Sequence, residues 1–341
     1  HRRCDRWNSR GCVSRPEGAP AHGAMASEFD LIRQYFERPA RVGARTLLGI
    51  GDDAALLRVD PGMVLAVSTD MLLVGRHFLQ DAAPQALGHK ALAVNLSDLA
   101  AVGATPRWAT LSIALPTADE AWLAAFAEGL FALAGRFEVD LVGGDTTRGP
   151  LAISVTVLGE VPAAHALLRG GARPGDDIWV SGVLGLAALG LASLQGQLRL
   201  DAELAQRART RLEMPEPRVE LGERLRGVAS AAIDVSDGFA ADLGHVLERS
   251  GVGALVHYDQ LPRERTGDAA LDARCALSGG DDYELVFTAG QSERTAVAAL
   301  APELGIALSR VGAVQATPTR LVVLDAAGQS MAVPAGFDHF A

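Results

Sequence analysis

Nine aspartates lie inside apolar segments of this chain or where such segments end. They are Asp52 and Asp53 in LLGIGDDAALL, Asp70 in LAVSTDML, Asp98 in AVNLSDLA, Asp145 in LVGGDTTRG, Asp234 and Asp237 in AAIDVSDGFAADLGH, and Asp281 and Asp282 in LSGGDDYELVF. A carboxylate in such surroundings raises the free energy of the folded state unless a positive group compensates it. Within four residues along the chain only Asp145 has such a group, Arg148. The fold must therefore bring cations to these segments, or bind them.

Any one of these aspartates also has a purely structural interpretation. Asp237 before Gly238 can cap a following helix, and Asp52 and Asp70 can be turn residues. Asp98 resists that interpretation, because a mid-helical aspartate among Ala and Leu has low helix propensity and nothing to cap. Mg²⁺ compensates several carboxylates at once, since it takes oxygen ligands and bridges protein carboxylates to phosphates. We therefore predict sites for several Mg²⁺ ions, with a nucleotide bound to them.

The sequence argues against several other functions. Zinc fits poorly, because Cys275 is isolated and no two histidines stand at ligand spacing. There is no Walker motif, GIGDDA lacks the following helix of a dinucleotide site, and Ser236 is not in a nucleophile elbow. A net charge of −10, with thirty arginines and the single Lys90, leaves no basic footprint for nucleic acid. No run approaches the roughly 18 apolar residues of a membrane span.

Apolar periodicity predicts alternating strands and helices, a mixed α/β (α+β) chain of two domains. PQALGHKALAVNLSDLAAVGA is predicted to be a helix from Pro84 to Gly103. The Pro/Gly-rich passage PAAHALLRGGARPGDD marks the boundary, with an N-terminal domain over 25–161 and a C-terminal α/β domain over 162–341. Residues 1–24 are expected to be a disordered or upstream extension. They contain two of the three cysteines, so the body has no disulfide framework and a reducing, cytoplasmic location is expected.

Two glycine-rich stretches are candidates for phosphate binding. LVGGDTTRG and VSGVLGLAALG each follow a predicted strand, and their backbone N–H groups could cradle phosphate in a loop. His77 follows Asp70 by seven residues, so one loop could carry both into the same cleft.

The motifs GIGDDAAL, VSTDML, RHF, GHKALAVNLSDLAAVGA, GGDTTRG, IDVSDGFAADLGH, GGDDYEL and GFDHF together resemble, in order, those of the thiamine-monophosphate kinases, within the superfamily of phosphoribosylaminoimidazole synthetase. The resemblance runs from about Glu28 to Phe340. It implies ATP-dependent phosphorylation of thiamine monophosphate to thiamine diphosphate by direct in-line transfer. It also implies a two-domain aminoimidazole-ribonucleotide-synthetase-like fold and a homodimer in which the N-terminal sheets of two subunits pair near ATP.

The same resemblance assigns roles to individual residues. The implied magnesium ligands are Asp53, Ser68, Thr69, Asp70, Asp98, Asp145, Asp234 and Asp237. The implied ATP contacts are Gly144, Asp145, Arg169 and Ser236. Thiamine monophosphate is expected to contact His77, the second acidic residue of GGDDYEL, Asp282, and the aromatic residue of GFDHF, Phe337. No residue is expected to act as a general acid or base, because the acceptor phosphate is already ionised near neutral pH.

Three other functions stay open on the residues alone. A sister ATP-dependent synthetase of the superfamily would share the aspartates, although no cysteine between Met25 and Cys275 supports selenophosphate synthesis and the ending FDHFA lacks the cysteine of hydrogenase-maturation relatives. A two-metal phosphohydrolase would use the same carboxylates with water as acceptor. A non-catalytic Mg-nucleotide-binding protein would bind ATP without turning it over.

Overall fold

A computed structural model describes residues 28–37, 45–318 and 321–334 of the chain. The N-terminal extension and Phe337 therefore lie outside the described residues. The mixed α/β class predicted from the sequence is confirmed. Within the described part, no helix has the length and apolar character that crossing a membrane requires.

A four-stranded sheet organises the N-terminal part. The elements in chain order are α1 (Glu28–Leu31), β1 (Thr46–Leu48), β2 (Leu56–Leu57), β3 (Met63–Leu73), α2 (Pro84–Val102), β4 (Thr105–Leu115), α3 (Glu120–Arg136), β5 (Asp140–Arg148) and β6 (Ala152–Pro162). The sheet order is β3-β6-β4-β5, and β1 pairs with β2 separately. Only β4 and β5 run parallel in the four-stranded sheet. Strands β3 and β5 are thus its two edges.

Helix α2 is buried along nearly its whole length and packs directly against α3. It begins with Pro84 in the first turn, where a missing N–H costs nothing, and ends at Gly103 in a left-handed conformation (φ 71°). The two backbones touch at Gly88 and Gly129, where a Cβ atom would stand 2.0 Å from the Phe126 carbonyl oxygen and 1.8 Å from that of Gln85, respectively. Larger residues at these positions would force the helices apart.

The two faces of the N-terminal sheet differ sharply. One face, with Val155 and Leu111, packs in the main apolar core together with α2 and α3. The opposite face carries exposed apolar side chains of the edge strand β3, namely Leu65, Val67, Met71 and Leu73. We call these four residues the open face of β3.

A six-stranded mixed sheet forms the C-terminal part. Its elements are β7 (Asp177–Ser181), α4 (Leu186–Leu194), α5 (Ala202–Glu213), α6 (Val219–Arg224), β8 (Ala229–Asp234), α7 (Phe239–Ser250), β9 (Gly253–His257), α8 (Ala269–Ser278), β10 (Leu285–Ala289), α9 (Arg294–Leu304), β11 (Leu308–Gln315) and β12 (Leu321–Leu324). The strand order is β12-β9-β11-β7-β10-β8. The main apolar core runs from α2 and α3 into this sheet through Trp179, Tyr283 and Phe287. Helix α2 therefore connects both sheets.

The glycine-rich stretch LVGGDTTRG, which was expected to offer its N–H groups to phosphate as a loop, is a strand instead. Residues 140–148 are all part of β5, which pairs in parallel with β4 up to Arg148. Gly144 approaches its neighbour so closely that a Cβ atom would lie 1.8 Å from the Leu111 carbonyl oxygen, and its φ is 150°. The glycine is required by close strand packing rather than by a loop.

Candidate active site

Asp98 faces the edge strand β3. The Ser68 hydroxyl donates a hydrogen bond to the Asp98 carboxylate, and Asn95 of the same helix accepts the backbone N–H of Asp70 at 2.9 Å. Alternate residues of β3 point toward α2, so Ser68 and Asp70 lie on the same side. Asp98, the mid-helical aspartate with no helix end to cap, thus lies with Asp70 between β3 and α2.

A third carboxylate reaches this place from the C-terminal sheet. Asp234 ends β8, and its Oδ2 accepts a hydrogen bond of 2.7 Å from the Ser97 hydroxyl of α2. The following loop is held by Asp242 of α7, whose Oδ2 accepts the backbone N–H groups of Ser236, Asp237 and Gly238 at 3.1 Å each. Asp237 therefore does not cap α7, and Asp242 fixes the loop that presents it.

These carboxylates line a cleft of about 650 Å³ between the two sheets. We call it the acidic cleft. Five of the predicted site residues line it, together with the predicted substrate contact: Asp70, Asp98, Asp234, Ser236, Asp237 and His77. Its wall also includes Asp281, Tyr283, Arg76 and Arg274, which sequence reasoning missed as site residues. The His77 Nδ1 accepts the N–H of Leu73 at 3.0 Å, which fixes the imidazole ring against the end of β3.

Burial and mutual repulsion perturb the carboxylates of the acidic cleft. Burial, then the charges of Asp98 and Asp237, raise the pKa of Asp70 to about 6. Burial, reinforced by Asp98, raises the pKa of Asp234 to about 8. Burial also raises the pKa of Asp98, opposed by the Ser68 hydrogen bond and by the nearby charge of Arg169. A bound cation would relieve this repulsion.

The donor set fits Mg²⁺ rather than a metal held by protein alone. Among the described residues, no group of three or more His, Cys, Asp or Glu side chains converges closely enough to hold a metal ion. Mg²⁺ commonly takes only one or two carboxylates and completes its octahedron with water and phosphate oxygens. Asp70, Asp98 and Asp234 match that pattern, because they are separate oxygen donors facing one cleft.

A second cleft, of about 690 Å³, lies at the other edge of the same sheet. We call it the glycine cleft, and 51–55 and 141–146 form much of its lining. It contains the predicted residues Asp53, Gly144 and Asp145. Asp52 and Asp53 are both exposed, and the Asp52 carboxylate accepts the N–H of Asp53 at 2.9 Å. Both carboxylates are therefore open to water, although the flanking segments are apolar.

The fold does not bring all predicted magnesium ligands together in one chain. The register places Asp70, Val155, Leu111 and Gly144 in one row across the sheet, and Met71, Ser154, Ser112 and Asp145 in the next. Successive rows face opposite sides, so Asp70 and Asp145 point to different faces, across three strand spacings of roughly 4.8 Å each. Thr69 also points away from Asp70, with its hydroxyl 2.8 Å from that of Thr156.

Asp282 is not brought to the acidic cleft. It is fully buried, and its carboxylate accepts the N–H groups of Gly185 at 2.7 Å and Ala187 at 3.5 Å. Burial raises its pKa to about 8, and the Gly185 N–H opposes that rise. The N-terminus of α4 in VSGVLGLAALG is thus occupied by Asp282, so that stretch does not form the expected phosphate cradle. Asp281, its neighbour, lines the cleft instead.

Asparagine in place of Asp282 is expected to preserve both folding and substrate affinity. The amide oxygen still accepts the Gly185 N–H, and the buried side chain at this position can no longer ionise. We expect the KM for the phosphate acceptor to stay within about twofold, while Asp282→Ala lowers the free energy of unfolding by about 1–3 kcal/mol. Steady-state kinetics and chemical denaturation of the two variants measure this. A tenfold rise of this KM in Asp282→Asn would instead show that Asp282 contributes to substrate binding.

Magnesium is expected to stabilise the protein more at pH 8 than at pH 5. The folded pKa values of Asp70 and Asp234, about 6 and about 8, lie above the usual 3.8. Ionising them therefore penalises the folded state, so metal-free stability falls as pH rises from about 4 to about 8. A bound cation removes that penalty, and the penalty is larger at pH 8 than at pH 5. Thermal unfolding with and without Mg²⁺, at matched ionic strength, tests this prediction. An equal rise of the melting temperature on adding Mg²⁺ at both pH values would contradict it.

Comparisons with known proteins give a consistent result. Residues 51–161 match the family model described as AIR synthase related protein, N-terminal domain, and 173–324 match the corresponding C-terminal domain. A thiamine-monophosphate kinase of Salmonella typhimurium is 46% identical over 322 residues, covering 92% of this chain and 98% of the relative. A crystal structure of thiamine-monophosphate kinase from Stenotrophomonas maltophilia has 47% identity and a TM-score of 0.78, covering 84% and 93% of the two chains. A structure described as AaThiL complexed with AMPPCP and TMP has 29% identity and a TM-score of 0.72, covering 92% and 96%.

Proposed function

The chain belongs to the AIR synthase related proteins and, among them, to the thiamine-monophosphate kinases, and from this membership we propose that it uses Mg²⁺ and ATP to phosphorylate thiamine monophosphate. The products are thiamine diphosphate and ADP. The observation that carries the proposal is the acidic cleft, where three carboxylates from β3, α2 and β8 face one space. The free, buried thiol of Cys275 agrees with a cytoplasmic setting.

The proposed reaction needs positioning and charge compensation more than proton transfer. An oxygen of the acceptor phosphate forms a bond to the γ-phosphorus of ATP, and the bond from that phosphorus to the β–γ bridging oxygen breaks in line with it. The acceptor is already ionised, so no base removes a proton and no phosphoenzyme forms. Asp70, Asp98 and Asp234 would hold Mg²⁺, which neutralises the repulsion between the two polyanions when it is bound.

Residues around the carboxylates have complementary tasks. Arg169, whose charge already acts on Asp98, would contact ATP together with Ser236 of the loop fixed by Asp242. His77 and Asp281 stand on the wall of the cleft and would face thiamine monophosphate. The thiamine ring system is cationic, so the Asp281 carboxylate attracts it.

We propose that a second subunit completes the site. Within one chain, Asp53 and Asp145 lie in the glycine cleft and Asp70 and Asp98 in the acidic cleft, at opposite edges of one sheet. A two-fold dimer would place the glycine cleft of one chain against the acidic cleft of the other, and both sites would be made at once. Asp53 and Asp145 of one chain and Asp70 and Asp98 of the other would then face one ATP in each site.

The open face of β3 supports the same dimer. Its four apolar side chains are between 39% and 57% exposed, on an edge strand of eleven residues. A long apolar edge strand is an aggregation risk unless another chain covers it. Leu47 and Leu48 of β1 and Leu56 of β2 add further exposed apolar surface in the same domain. Pairing of the N-terminal sheets of two subunits would bury the open face of β3.

The proposal is tested by incubating the protein with ATP and Mg²⁺, with and without thiamine monophosphate, and following phosphate species by ³¹P NMR. Thiamine diphosphate and ADP formed in equal amounts, and only when the monophosphate is present, would support the kinase. Inorganic phosphate with water as acceptor would indicate a phosphohydrolase instead. ATP that binds but stays intact with thiamine monophosphate would point to a sister synthetase or a nucleotide-binding protein.

A further inference from the structure

The one lysine of this chain is buried beneath the acidic cleft. Thirty of the thirty-one cationic Lys and Arg side chains are arginine, and the exception is Lys90 in α2. Its side chain is only 4% exposed, and its ammonium lies 3.0 Å from Oδ2 of Asp281. Lys90 precedes Asp98 by eight residues, or about 12 Å along the helix. A chain that otherwise uses arginine throughout has a compact ammonium at this position.

Asp281 is held by groups from two directions. Its Oδ1 accepts a hydrogen bond from the Tyr283 hydroxyl at 3.0 Å, while Oδ2 pairs with Lys90. Its own N–H donates to the Ser236 carbonyl at 2.9 Å, and the backbone takes a left-handed conformation with φ 65°. That conformation is unfavourable for a residue with a Cβ, so the surrounding contacts must maintain it. Lys90 comes from the N-terminal sheet's helix, and Asp281 and Tyr283 come from the loop before β10.

We infer that Lys90 is a positioning residue for the acceptor, acting through the Asp281 carboxylate that it orients on the cleft wall. Lys90 does not line the cleft, so it does not touch substrate itself. Arginine would not reproduce this contact, because a guanidinium presents its donors in a fixed planar fork, whereas the ammonium is a compact point charge. The inference rests on the proposed function and identifies a residue that determines how that same site binds the acceptor.

Kinetics of Lys90→Met and Lys90→Arg test the inference. Asp281 is 32% exposed, so water can solvate its carboxylate in Lys90→Met. Lys90→Arg keeps a cationic partner for that carboxylate, so both variants should fold. We expect the KM for thiamine monophosphate to rise about tenfold in both variants, because the misplaced Asp281 carboxylate loses one charge-assisted contact with the substrate. The KM for ATP should stay within about twofold of the wild-type value. His89→Gln is the matched control, because His89 is buried in the same helix but contacts the Pro215 carbonyl instead. It should leave both KM values unchanged.

A double-variant comparison shows whether Lys90 acts through Asp281. Lys90→Met/Asp281→Asn should raise the acceptor KM no further than Asp281→Asn alone. Additive effects, or an unchanged acceptor KM in Lys90→Met, would overturn the inference while the wild type still makes thiamine diphosphate. A wild type that makes none overturns the proposed function itself.

The single lysine also allows a readout that needs no turnover. Protein carrying ¹³C at the lysine ε-carbon gives one lysine signal, because there is one lysine. We expect thiamine monophosphate to shift this signal in the wild type and Asp281→Asn to abolish the response. If thiamine monophosphate shifts the signal equally in the wild type and in Asp281→Asn, or in neither, the ammonium does not respond to the acceptor through Asp281. Either result would overturn the inference.

Discussion

Asparagine in place of Asp98 is expected to lower turnover by about a thousandfold, with the fold unchanged. The side chain stands between β3 and α2, with the Ser68 hydroxyl on one side, and its charge raises the pKa values of Asp70 and Asp234. The amide oxygen of asparagine can still accept the Ser68 hydrogen bond. It carries no charge, so it binds Mg²⁺ far more weakly and relieves the repulsion of its neighbours.

Stability and activity should therefore respond in opposite directions. Without metal, Asp98→Asn should melt at the same temperature as the wild type or above it, because a buried like charge has been removed. The measurement is kcat at saturating Mg²⁺ and ATP together with thermal unfolding. Asp119→Asn is the matched control, since Asp119 is an exposed N-cap of α3 and asparagine also caps well. Near-normal turnover of Asp98→Asn at saturating Mg²⁺ would remove Asp98 from the site.

Patterns that depend on local spacing were readable in the sequence. Helix α2 has the predicted Pro84 start and Gly103 end, because both residues act through their own backbone conformation. Asp98 was identified for a physical reason as well, since a charge in the middle of a buried apolar helix requires an explanation. Asp70, Asp98 and Asp234 do share one cleft.

Properties that depend on distant contacts were not readable. GGDDYEL gives two adjacent aspartates, and only the fold decides that Asp281 faces the cleft while Asp282 meets the N–H of Gly185, 97 residues away. The same holds for Lys90, whose partner is 191 residues further along the chain. Asp242 did offer a local signal, because an acid in the first turn of a helix can accept the N–H groups of the preceding loop.

The division of ligands between two clefts also could not be read from motifs. The resemblance assigns aspartates of GDD, STD, NLSD and GGD to magnesium together, which suggests one cluster. Strand alternation instead sends Asp70 and Thr69 to opposite faces, and the strand order puts β3 and β5 at opposite edges. Whether these ligands act together then depends on whether a second subunit brings the two clefts together.

Two inactive variants are expected to restore activity to each other. Asp53→Asn disables the glycine cleft and Asp98→Asn disables the acidic cleft, so each homodimer should lose activity by orders of magnitude. In a heterodimer of the two, one site combines the intact acidic cleft of the Asp53→Asn chain with the intact glycine cleft of the Asp98→Asn chain. Co-expression with two different tags isolates this heterodimer, and we expect about half of the wild-type kcat per dimer, from one intact site of two.

The control pairs two lesions of the same cleft. A heterodimer of Asp70→Asn with Asp98→Asn has no intact acidic cleft in either chain, so it should stay inactive although it assembles in the same way. Recovery in the first heterodimer and not in the second can arise only if each site takes one cleft from each subunit. An inactive Asp53→Asn/Asp98→Asn heterodimer of correct mass would mean that both clefts serve the same chain, and that a closing motion within one subunit must bring Asp53 to Asp98.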